Sequence, residues 1–375
     1  MKFTTSAKGL KETLSIVKSA IPAKPTHPVL ANYLFKLEGN TLEITATDLS
    51  LSISSKLQLT TIDNIDGSVV VTADIVPIIN KLGSKEIVCE VKNGQFVISY
   101  QVKGKVASFE CDTMDANEYP ELDKIDAETL NISGEQFEKL KGAITFNLHS
   151  VSTDMSKQVL MAINFAGTDD GLKLASTDGH RLGVFKTDSI GEIQANVPAT
   201  SCKNLLDLSG DVVLKKDVGY ISFQDSKTRI LARLLDGQYP NYESLLPSDY
   251  NFNFEVDCKA FLEAVELVSL VGNKEVVKIS KESGEELLKL ETFKNEQVVG
   301  VEFVEAKVHE DFKEIVFKDK YLISALKQFE GTIKIQGNTA LSPHTIVPVD
   351  GDNIDGEPQA VEEKLHLLMP IQLRS

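Results

Sequence analysis

The apolar positions of this chain follow one arrangement three times. A short stretch of alternating apolar and polar residues leads into a polar turn, and apolar residues at helical spacing follow. The arrangement occupies residues 1–21, 130–144 and 252–268. In the middle copy, Ser133 and Gln136 have the spacing of a capping box, which satisfies free backbone amides where a helix begins. Each copy is therefore predicted to be a strand followed by a helix. The predicted buried helix faces are Leu10, Leu14, Val17 and Ile21; Phe137, Leu140 and Ile144; and Phe261, Leu262, Val265 and Val268.

A second helical pattern also occurs three times, and each copy is followed by a glycine. The glycines are Gly83, Gly210 and Gly331. Because glycine readily adopts the left-handed conformation that ends many helices, we predict three helices of about three turns, each stopped at its glycine.

Between the predicted helices, apolar and polar residues alternate with the period of a β-strand. Asn93-Gly94, Asp170-Gly171 and Gly39-Asn40 fall between these runs, where hairpin turns need positive φ. The sequence therefore predicts an α+β protein with three repeated domains, each with two helices packed on antiparallel β-sheets and about six to eight strands. The predicted domains are residues 1–127, 128–250 and 251–375.

Composition narrows the class of protein. Of the 375 residues, 42% are apolar, yet no stretch approaches the roughly 18 consecutive apolar residues of a membrane span. The start of the chain lacks the apolar core of a signal peptide, so we expect a cytoplasmic protein that does not bind membranes. The four cysteines are scattered and the six histidines are single, which predicts neither a metal site nor a disulfide framework. We expect no cofactor.

The distribution of charge leaves two interpretations open. The formal net charge of −16 argues against indiscriminate binding of nucleic acid. The predicted helices nevertheless contain more lysines than acidic residues, so a surface lined by helices could face phosphates. Alternatively, lysine is simply a good helix former on a solvated face.

The segment "STDGHRLGVF" at 176–185 concentrates titratable groups. Asp178, His180 and Arg181 could form a structural turn, bind a ligand or take part in catalysis. The first repeat has "ATDLSLSIS" at the equivalent place, with Asp48 matching Asp178 but no His-Arg pair. Thr-Asp is therefore predicted to have a structural role in both repeats, whereas Gly-His-Arg belongs to the second repeat alone.

Other motifs of catalysis or metal binding are not found. The sequence has no P-loop, no G-x-S-x-G nucleophile motif and no H-E-x-x-H zinc motif. Residues 350–356 resemble a calcium loop, but Ile354 and Val361 stand where oxygen ligands are needed. This stretch is predicted to be an acidic surface loop.

Several longer segments resemble the bacterial sliding clamp family, the beta subunit of DNA polymerase III. They are "KPTHPVLANYLFKLEGNTLEITATDLSLSI", "STDGHRLGV", "LLDGQYPNYESLLP" and "HLLMPIQL", and they occur in family order. The resemblance implies a DNA clamp fold, a ring-shaped head-to-tail homodimer and double-stranded DNA passing through the ring. It also implies a processivity factor without enzymatic activity. The partners implied are the replicative DNA polymerase alpha subunit, a clamp loader, and other clamp-binding repair and replication proteins.

The resemblance also implies a pocket between the second and third domains that binds short partner peptides containing glutamine and a Leu-Phe pair. Its matching positions are Leu160, Thr177, Gly179, His180, Arg181, Leu182, Pro240, Leu245, Tyr321, Leu367, Leu368, Met369, Pro370 and Ile371. The chain departs from the best-known members at Ser244, Lys318 and Gln372, which puts the preferred partner motif in question.

Residues for DNA and for the ring interface follow from the same resemblance. Lys24 and Lys81 match basic DNA-binding positions. Two other basic positions of the family are occupied by Asp74 and Ala199, so a somewhat different set of lysines is expected to contact DNA. The implied dimer interface brings Phe109 and Cys111 of one copy against Leu270 and Val271 of the other.

Overall fold

The computed structural model describes residues 1–60, 63–122, 125–127, 129–272, 275–281, 286–310, 312–349 and 364–372. The chain forms two compact units: unit 1 contains Met1–Glu138 and Thr200–Leu234, and unit 2 contains Lys139–Ala199 and Leu235–Ser375. The calcium-like stretch at 350–356 lies outside the described residues. Among the described residues, no helix is both long enough and apolar enough to cross a membrane.

The described residues contain six α-helices. They are α1 (Ala7–Val17), α2 (Ile75–Leu82), α3 (Gly134–Leu148), α4 (Ala199–Leu205), α5 (Cys258–Ser269) and α6 (Asp319–Leu326). The predicted helix faces are buried, with two exceptions. Ile21 lies beyond the end of α1 in extended backbone, and Leu262 is only half-buried. The capping box is confirmed, since the Ser133 backbone N–H donates to the Gln136 side chain at 3.0 Å.

The ends of the second helix in each repeat differ from the prediction. Gly83 directly follows α2, as expected, but its φ of 65° and ψ of −124° lie outside the left-handed helical region. However, α4 ends at Leu205 and α6 at Leu326, well before Gly210 and Gly331. Tighter i→i+3 backbone hydrogen bonds continue the chain beyond both helices, and the two glycines take positive φ where the next strand is about to begin. These helices have 8, 7 and 8 residues, so they are about two turns long rather than three.

The strands are numbered in chain order. The first twelve are β1 (Lys2–Ser6), β2 (Tyr33–Glu38), β3 (Thr41–Thr47), β4 (Leu51–Gln58), β5 (Gly67–Val71), β6 (Glu86–Lys92), β7 (Gln95–Val102), β8 (Lys105–Met114), β9 (Thr129–Ile132), β10 (Ala162–Thr168), β11 (Gly171–Thr177) and β12 (Arg181–Thr187). The others are β13 (Ile193–Pro198), β14 (Val212–Lys216), β15 (Tyr220–Gln224), β16 (Thr228–Arg233), β17 (Phe252–Asp257), β18 (Val276–Lys281), β19 (Leu287–Lys294), β20 (Gln297–Glu305), β21 (Lys307–Val308), β22 (Ile315–Lys318), β23 (Thr332–Gly337), β24 (His344–Pro348) and β25 (Lys364–Leu368).

Unit 1 is built on one antiparallel sheet of 12 strands in the order β1-β6-β7-β8-β5-β2-β3-β4-β16-β15-β14-β9. The strand from the first repeat, β4, pairs with β16 from the second, and Ser52 lies opposite Leu231. Helix α1 packs against α2 and β4, and the rings of Phe3 and Phe35 both contact the ring of Phe96 in the core. One continuous sheet therefore joins two sequence repeats.

Unit 2 contains a nine-stranded and a four-stranded antiparallel sheet. The larger has the order β13-β10-β11-β12-β25-β24-β23-β17-β21, and the smaller has the order β20-β19-β18-β22. In the larger sheet, β12 pairs with β25, which places Leu182 opposite Leu367. Helix α5 packs against α6, β19 and β20. The predicted strand-turn-helix arrangement is confirmed in all three copies (β1–α1, β9–α3 and β17–α5), as is the α+β class with antiparallel sheets.

Candidate peptide-binding site

The turn between β11 and β12 is held by its own side chains. The Thr177 hydroxyl donates to the Arg181 carbonyl at 2.6 Å and accepts from the Gly179 N–H at 3.0 Å. The Asp178 carboxylate accepts from the backbone N–H groups of His180 (2.9 Å) and Arg181 (3.1 Å). Gly179 has φ 92°, a conformation that glycine adopts without a steric penalty. Asp178 therefore shapes this turn.

The first repeat forms the same turn between β3 and β4. The Thr47 hydroxyl donates to the Leu51 carbonyl at 3.1 Å and accepts from the Leu49 N–H at 3.0 Å. Asp48 accepts from the N–H groups of Ser50 (2.8 Å) and Leu51 (2.7 Å). The structural role predicted for Thr-Asp in both repeats is thus confirmed.

Arg181 connects the turn to helix α6. Its Nε donates to Asp178 Oδ2 at 2.9 Å, and its Nη1 donates to Ser324 Oγ at 2.8 Å. The guanidinium lies 4.5 Å from the centroid of the Tyr321 ring, and the side chain is only 14% exposed. The His180 ring is parallel to the same tyrosine within 22°, with centroids 6.2 Å apart. The Gly-His-Arg segment of the second repeat therefore meets Tyr321 of α6 in one polar and aromatic group.

The segment that follows β25 closes on this turn. The backbone N–H of Met369 donates to the His180 carbonyl at 2.9 Å, and the N–H of Ile371 donates to the Val316 carbonyl at 2.8 Å. Met369 is 37% exposed, whereas Pro370 and Ile371 are half-buried. The tail residues are thus fixed beside the turn by main-chain bonds, which leaves their side chains available to a ligand.

An apolar cluster lies under these residues. Three of the predicted pocket residues, Leu160, Leu182 and Leu367, pack together in it. The sequence reasoning missed the other members, which are Ala175, Tyr239 and Tyr242, with Val159, Val184, Leu246 and Leu365 packed against them. The aromatic spacing in "QYPNYESLLP" was the available signal for the two tyrosines. Tyr239 also binds the turn, because its hydroxyl accepts from the Thr177 N–H at 3.1 Å.

The remaining predicted pocket residues fall into two groups. Pro240 and Leu245 are exposed beside the cluster, Leu245 by 58%, so they can form its rim. Leu368 is only 1% exposed and points to the sheet face opposite that of Leu367, since successive strand residues alternate. Its side chain therefore packs in the core on the other face of the sheet, and its place in the pocket stays a prediction.

The three departures from the family pattern lie near this site or on its rim. The Ser244 hydroxyl donates to the Asn241 carbonyl at 2.8 Å, and Gln372 is exposed. Lys318 lies on the Tyr321 ring, with Nζ 5.3 Å from the ring centroid. A second cation therefore accompanies Arg181 on this ring.

The titratable groups at and near this site are buried or held in structural contacts. Among the described residues, no three His, Cys, Asp or Glu side chains are grouped so that they could hold a metal ion. All four cysteines are free and buried, and burial raises the pKa of Cys111 and Cys258 to about 11, which keeps these thiols protonated. His180 stacks on Tyr321, and Asp178 is engaged by backbone amides and Arg181.

The lysines predicted to contact DNA lie on the surface of unit 1. Lys24 is in the loop after α1, and Lys81 is in the last turn of α2. Lys11 and Lys18 are also exposed at α1, and within the described residues none of these four has a carboxylate oxygen within 4.0 Å. In contrast, Lys320 at α6 is paired with a glutamate.

The four predicted interface residues differ in exposure. Phe109 is 39% exposed on β8, and Leu270 and Val271 after α5 are 78% and 51% exposed. Cys111 is 3% exposed because its side chain packs into its own unit, opposite Phe96. Its side chain is therefore buried rather than exposed as predicted, and its place in the dimer interface stays a prediction.

These features define an α+β protein in which a strand-turn-helix arrangement recurs three times on antiparallel sheets, the DNA clamp fold. Three models of the DNA polymerase III beta subunit match the chain: the N-terminal domain over residues 1–123, the central domain over 131–241 and the C-terminal domain over 243–356. The chain belongs to the DNA polymerase III beta subunit family.

Relatives and solved structures agree with this assignment. The chain is 31% identical over 400 residues to the Beta sliding clamp of Synechococcus elongatus, covering 100% of both chains. It is 29% identical over 373 residues to that of Bacillus subtilis, with 92% of this chain and 95% of the relative covered. The crystal structure of the Bacillus subtilis DNA polymerase sliding clamp matches with a TM-score of 0.88 at 27% identity over 100% of both chains. A Pseudomonas aeruginosa sliding clamp bound to griselimycin has the same fold, with a TM-score of 0.88 at 22% identity over 100% of both chains.

Proposed function

We propose that this protein is the sliding clamp of a bacterial replicative DNA polymerase. Two copies form a closed ring around double-stranded DNA, and the ring tethers the polymerase through the pocket built from the β11–β12 turn and the tail after β25. The observation that carries the proposal is the end-to-end similarity to a Beta sliding clamp. The protein acts by binding alone: a tethered polymerase is kept at a high effective concentration near the primer end.

The strand order supports a head-to-tail dimer. In the first repeat β4 pairs with β16, the last strand of the second repeat, and in the second repeat β12 pairs with β25, the last strand of the third. The equivalent strand of the third repeat, β20, lies at the edge of its sheet and pairs only with β19 among the described strands. If the pattern continues between two copies, β20 of one copy pairs with the last strand of the first repeat, β8, of the other copy. A heterologous interface that closes after two copies makes a ring.

Exposure and charge on these two strands favour that pairing. Only the last residues of β8 pair with β5; along the rest of the strand, within the described part of the chain, β8 pairs with β7 alone. This part of β8 contains the exposed Phe109. Lys105 on β8 is exposed, whereas Glu305 is exposed on β20. Open apolar edge strands are prone to pair with another chain, and opposite charges help to set the register.

Lysines on α1, on α2 and in the loop after α1 support DNA binding without sequence preference. Their ammonium groups would attract phosphates and release counterions at any DNA sequence, whereas sequence recognition requires side chains that contact base edges in a groove. The proposed contacts include Lys24 and Lys81, together with the equally exposed Lys11 and Lys18.

The pocket is proposed to receive a short segment of each partner. Leu160, Leu182 and Leu367 supply an apolar floor for leucine and phenylalanine side chains, and Met369 supplies an adaptable rim. The proposed users are the polymerase alpha subunit, the clamp loader, and repair and replication proteins that share the site. Griselimycin, which is bound to the Pseudomonas aeruginosa clamp, is a suitable competitor.

We further propose that the chain is organised as three domains, 1–127, 128–250 and 251–375, and that it works in the cytoplasm, where the bacterial chromosome is replicated.

The decisive experiment is topological. The protein is loaded by a clamp loader on a nicked circular plasmid, and the plasmid is then cut once. We expect retention on the circle and rapid loss from linear DNA, unless the ends are blocked by bound protein. Equal retention before and after cutting would overturn the proposal.

A further inference from the structure

Unit 1 contains a cleft that repeats the construction of the peptide site in unit 2. The turn between β3 and β4 has the same pattern of hydrogen bonds as the β11–β12 turn. The bond that closes the turn is repeated too: the Arg233 N–H donates to the Ser50 carbonyl at 2.7 Å, as the Met369 N–H donates to the His180 carbonyl at 2.9 Å.

The apolar support beneath the turn is also repeated. Val29, Leu30 and Tyr119 belong to one buried cluster of unit 1, and the corresponding "VL" and "YP" segments of the second repeat supply Val159, Leu160 and Tyr239. The Tyr119 hydroxyl donates to the Thr45 carbonyl at 3.4 Å, so this ring is also fixed to the strand that leads into the turn.

A cavity of about 40 Å³ opens at this place. Its lining residues are Thr47, Leu49, Ser50, Ser52, Pro120, Glu121, Leu122, Tyr220 and Leu231. By the strand register, Ser52 and Leu231 occupy the positions that Leu182 and Leu367 occupy in unit 2. A serine in place of a leucine removes volume from the floor, which explains why a hole remains here.

The chemistry of the walls selects the occupant. The hydroxyls of Thr47 and Ser52 lie 2.6 Å apart and form a hydrogen bond with each other, so a ligand does not have to supply polar groups to satisfy them. Leu49 is 50% exposed and holds φ 76°, where the second repeat has glycine. An aliphatic side chain is therefore presented at the mouth in an uncommon backbone conformation. The remaining charge in the lining is the exposed carboxylate of Glu121.

We propose that this cleft is a second peptide-binding site, which takes an extended segment with one aliphatic side chain against Leu49 and Leu231 and a basic side chain beside Glu121. The cavity is too small for a whole small-molecule ligand but suits the end of one side chain. The proposal deepens the proposed function, on which it rests for the idea that such turns receive peptides. The two sites differ in selectivity, because the unit 2 site presents Arg181 and Lys318, whereas the unit 1 site presents a carboxylate.

The test uses the full chain with labelled leucine methyl groups, observed by NMR. The probe is the acetylated and amidated tetrapeptide Lys-Leu-Ser-Lys, compared with Lys-Ala-Ser-Lys and Glu-Leu-Ser-Glu. We expect saturable shifts of the Leu49 and Leu231 methyls with the first peptide. The alanine and glutamate peptides should bind at least about tenfold more weakly, since one loses the buried side chain and the other meets Glu121 with like charge.

Two variants locate the binding. Ser50→Trp places a large ring at an exposed rim position and should abolish the shifts, and Glu121→Lys should weaken binding at least about fivefold. Glu118→Lys is the matched control, because Glu118 is exposed in the same stretch but does not line the cavity. No saturable shift with the first peptide, shifts that persist in Ser50→Trp, or equal weakening by Glu118→Lys would each overturn the proposal.

A parallel titration separates this inference from the proposed function. The peptide Gln-Leu-Ser-Leu-Phe should shift the methyls of Leu182 and Leu367 in unit 2. If it does so while Leu49 and Leu231 respond to none of the tetrapeptides, the second site is refuted and the clamp pocket stands. If Leu182 and Leu367 do not respond, the unit 2 pocket fails, while the response of Leu49 and Leu231 still decides the second site.

Discussion

Met369 donates its backbone N–H to the carbonyl of His180 at 2.9 Å. This bond joins the tail of the chain to the β11–β12 turn, which lies far earlier in the sequence. The side chain of Met369 takes no part in the bond and is 37% exposed beside the cluster of Leu160, Leu182 and Leu367. The tail can therefore lose the thioether without losing its position.

We expect Met369→Ala to weaken binding of a Gln-Leu-Ser-Leu-Phe peptide by about fivefold to twentyfold, because the apolar contact area falls while the main-chain bond remains. Fluorescence anisotropy with a labelled peptide measures the change, and sedimentation of the same samples should show an unchanged oligomeric state. Leu341→Ala is the control, since Leu341 is 54% exposed and is not a member of the cluster. Equal affinities for Met369→Ala and the wild type would contradict the pocket assignment.

The dimer prediction concerns β8. Phe109→Asp places a charge on an exposed apolar position of an open edge strand, and we expect the dimer dissociation constant to rise at least about tenfold, or 1.4 kcal/mol. Analytical ultracentrifugation over a concentration series measures it. Val218→Asp is the matched control, because Val218 is 96% exposed in a hairpin of the same unit. In contrast, Cys111→Asp should lower the stability of the fold, since Cys111 is buried. An unchanged dissociation constant for Phe109→Asp would exclude this strand from the interface.

The DNA prediction concerns three lysines. Replacing Lys11, Lys18 and Lys81 together by alanine should reduce the slope of log affinity against log salt concentration by about 0.9 for each phosphate that is no longer neutralised. The affinity for a short duplex, measured at several salt concentrations, gives this slope. Lys227→Ala removes one positive charge from an exposed hairpin position outside any helix and should leave the slope unchanged. If the triple variant and the wild type show the same salt dependence of DNA affinity, these three lysines do not contact DNA.

The stability of the protein should depend on pH through buried histidines. Burial lowers the pKa of His149 and of His344 to about 4, and burial also holds the pKa of His366 well below its usual value. In the unfolded chain these histidines take up protons as the pH falls through about 6.5, whereas in the folded chain they stay neutral at that pH. The free energy of unfolding is therefore unaffected by them above that pH and decreases as the pH falls toward 4. For each such histidine, the change from pH 7.5 to pH 5 should lower the free energy of unfolding by on the order of 2 kcal/mol.

Urea unfolding at pH 7.5 and pH 5 measures this effect. His344 packs against Phe252 and Phe317, and neither of its ring nitrogens has a hydrogen-bond partner among the described residues. His344→Phe should therefore lose less stability on acidification than the wild type does. His27→Gln changes an exposed histidine and should follow the wild type. A pH dependence that is the same in His344→Phe and the wild type would refute the assignment to this histidine.

The sequence by itself determined the local elements. The strand-turn-helix arrangement, the capping box at Ser133 and the Thr-Asp turns at Asp48 and Asp178 all depend on residues close together in the chain. Such features follow from periodicity and from short-range hydrogen bonds. The threefold recurrence of the strand-turn-helix arrangement was also evident without any structure.

The tertiary structure decided whatever depends on contacts between distant segments. The sequence shows neither that Arg181 lies on Tyr321 nor that Tyr239 completes the apolar cluster, because both contacts join residues far apart in the chain. Burial on a strand is likewise a tertiary property. Alternation leaves two faces to choose from, and only the packing of the sheet sends Leu368 and Cys111 into the core.

Helix length was decided in the same way. The apolar pattern before Gly210 and Gly331 was long enough for three turns, but the chain tightens into i→i+3 turns before it reaches the glycines. Helical spacing is a weak constraint at helix ends, where backbone groups can bond in more than one pattern at similar cost. The cleft of unit 1 illustrates both contributions: the repeated turn could be found from the sequence, whereas the cavity beside Ser52 exists only because Leu231 and Pro120 pack around a smaller side chain.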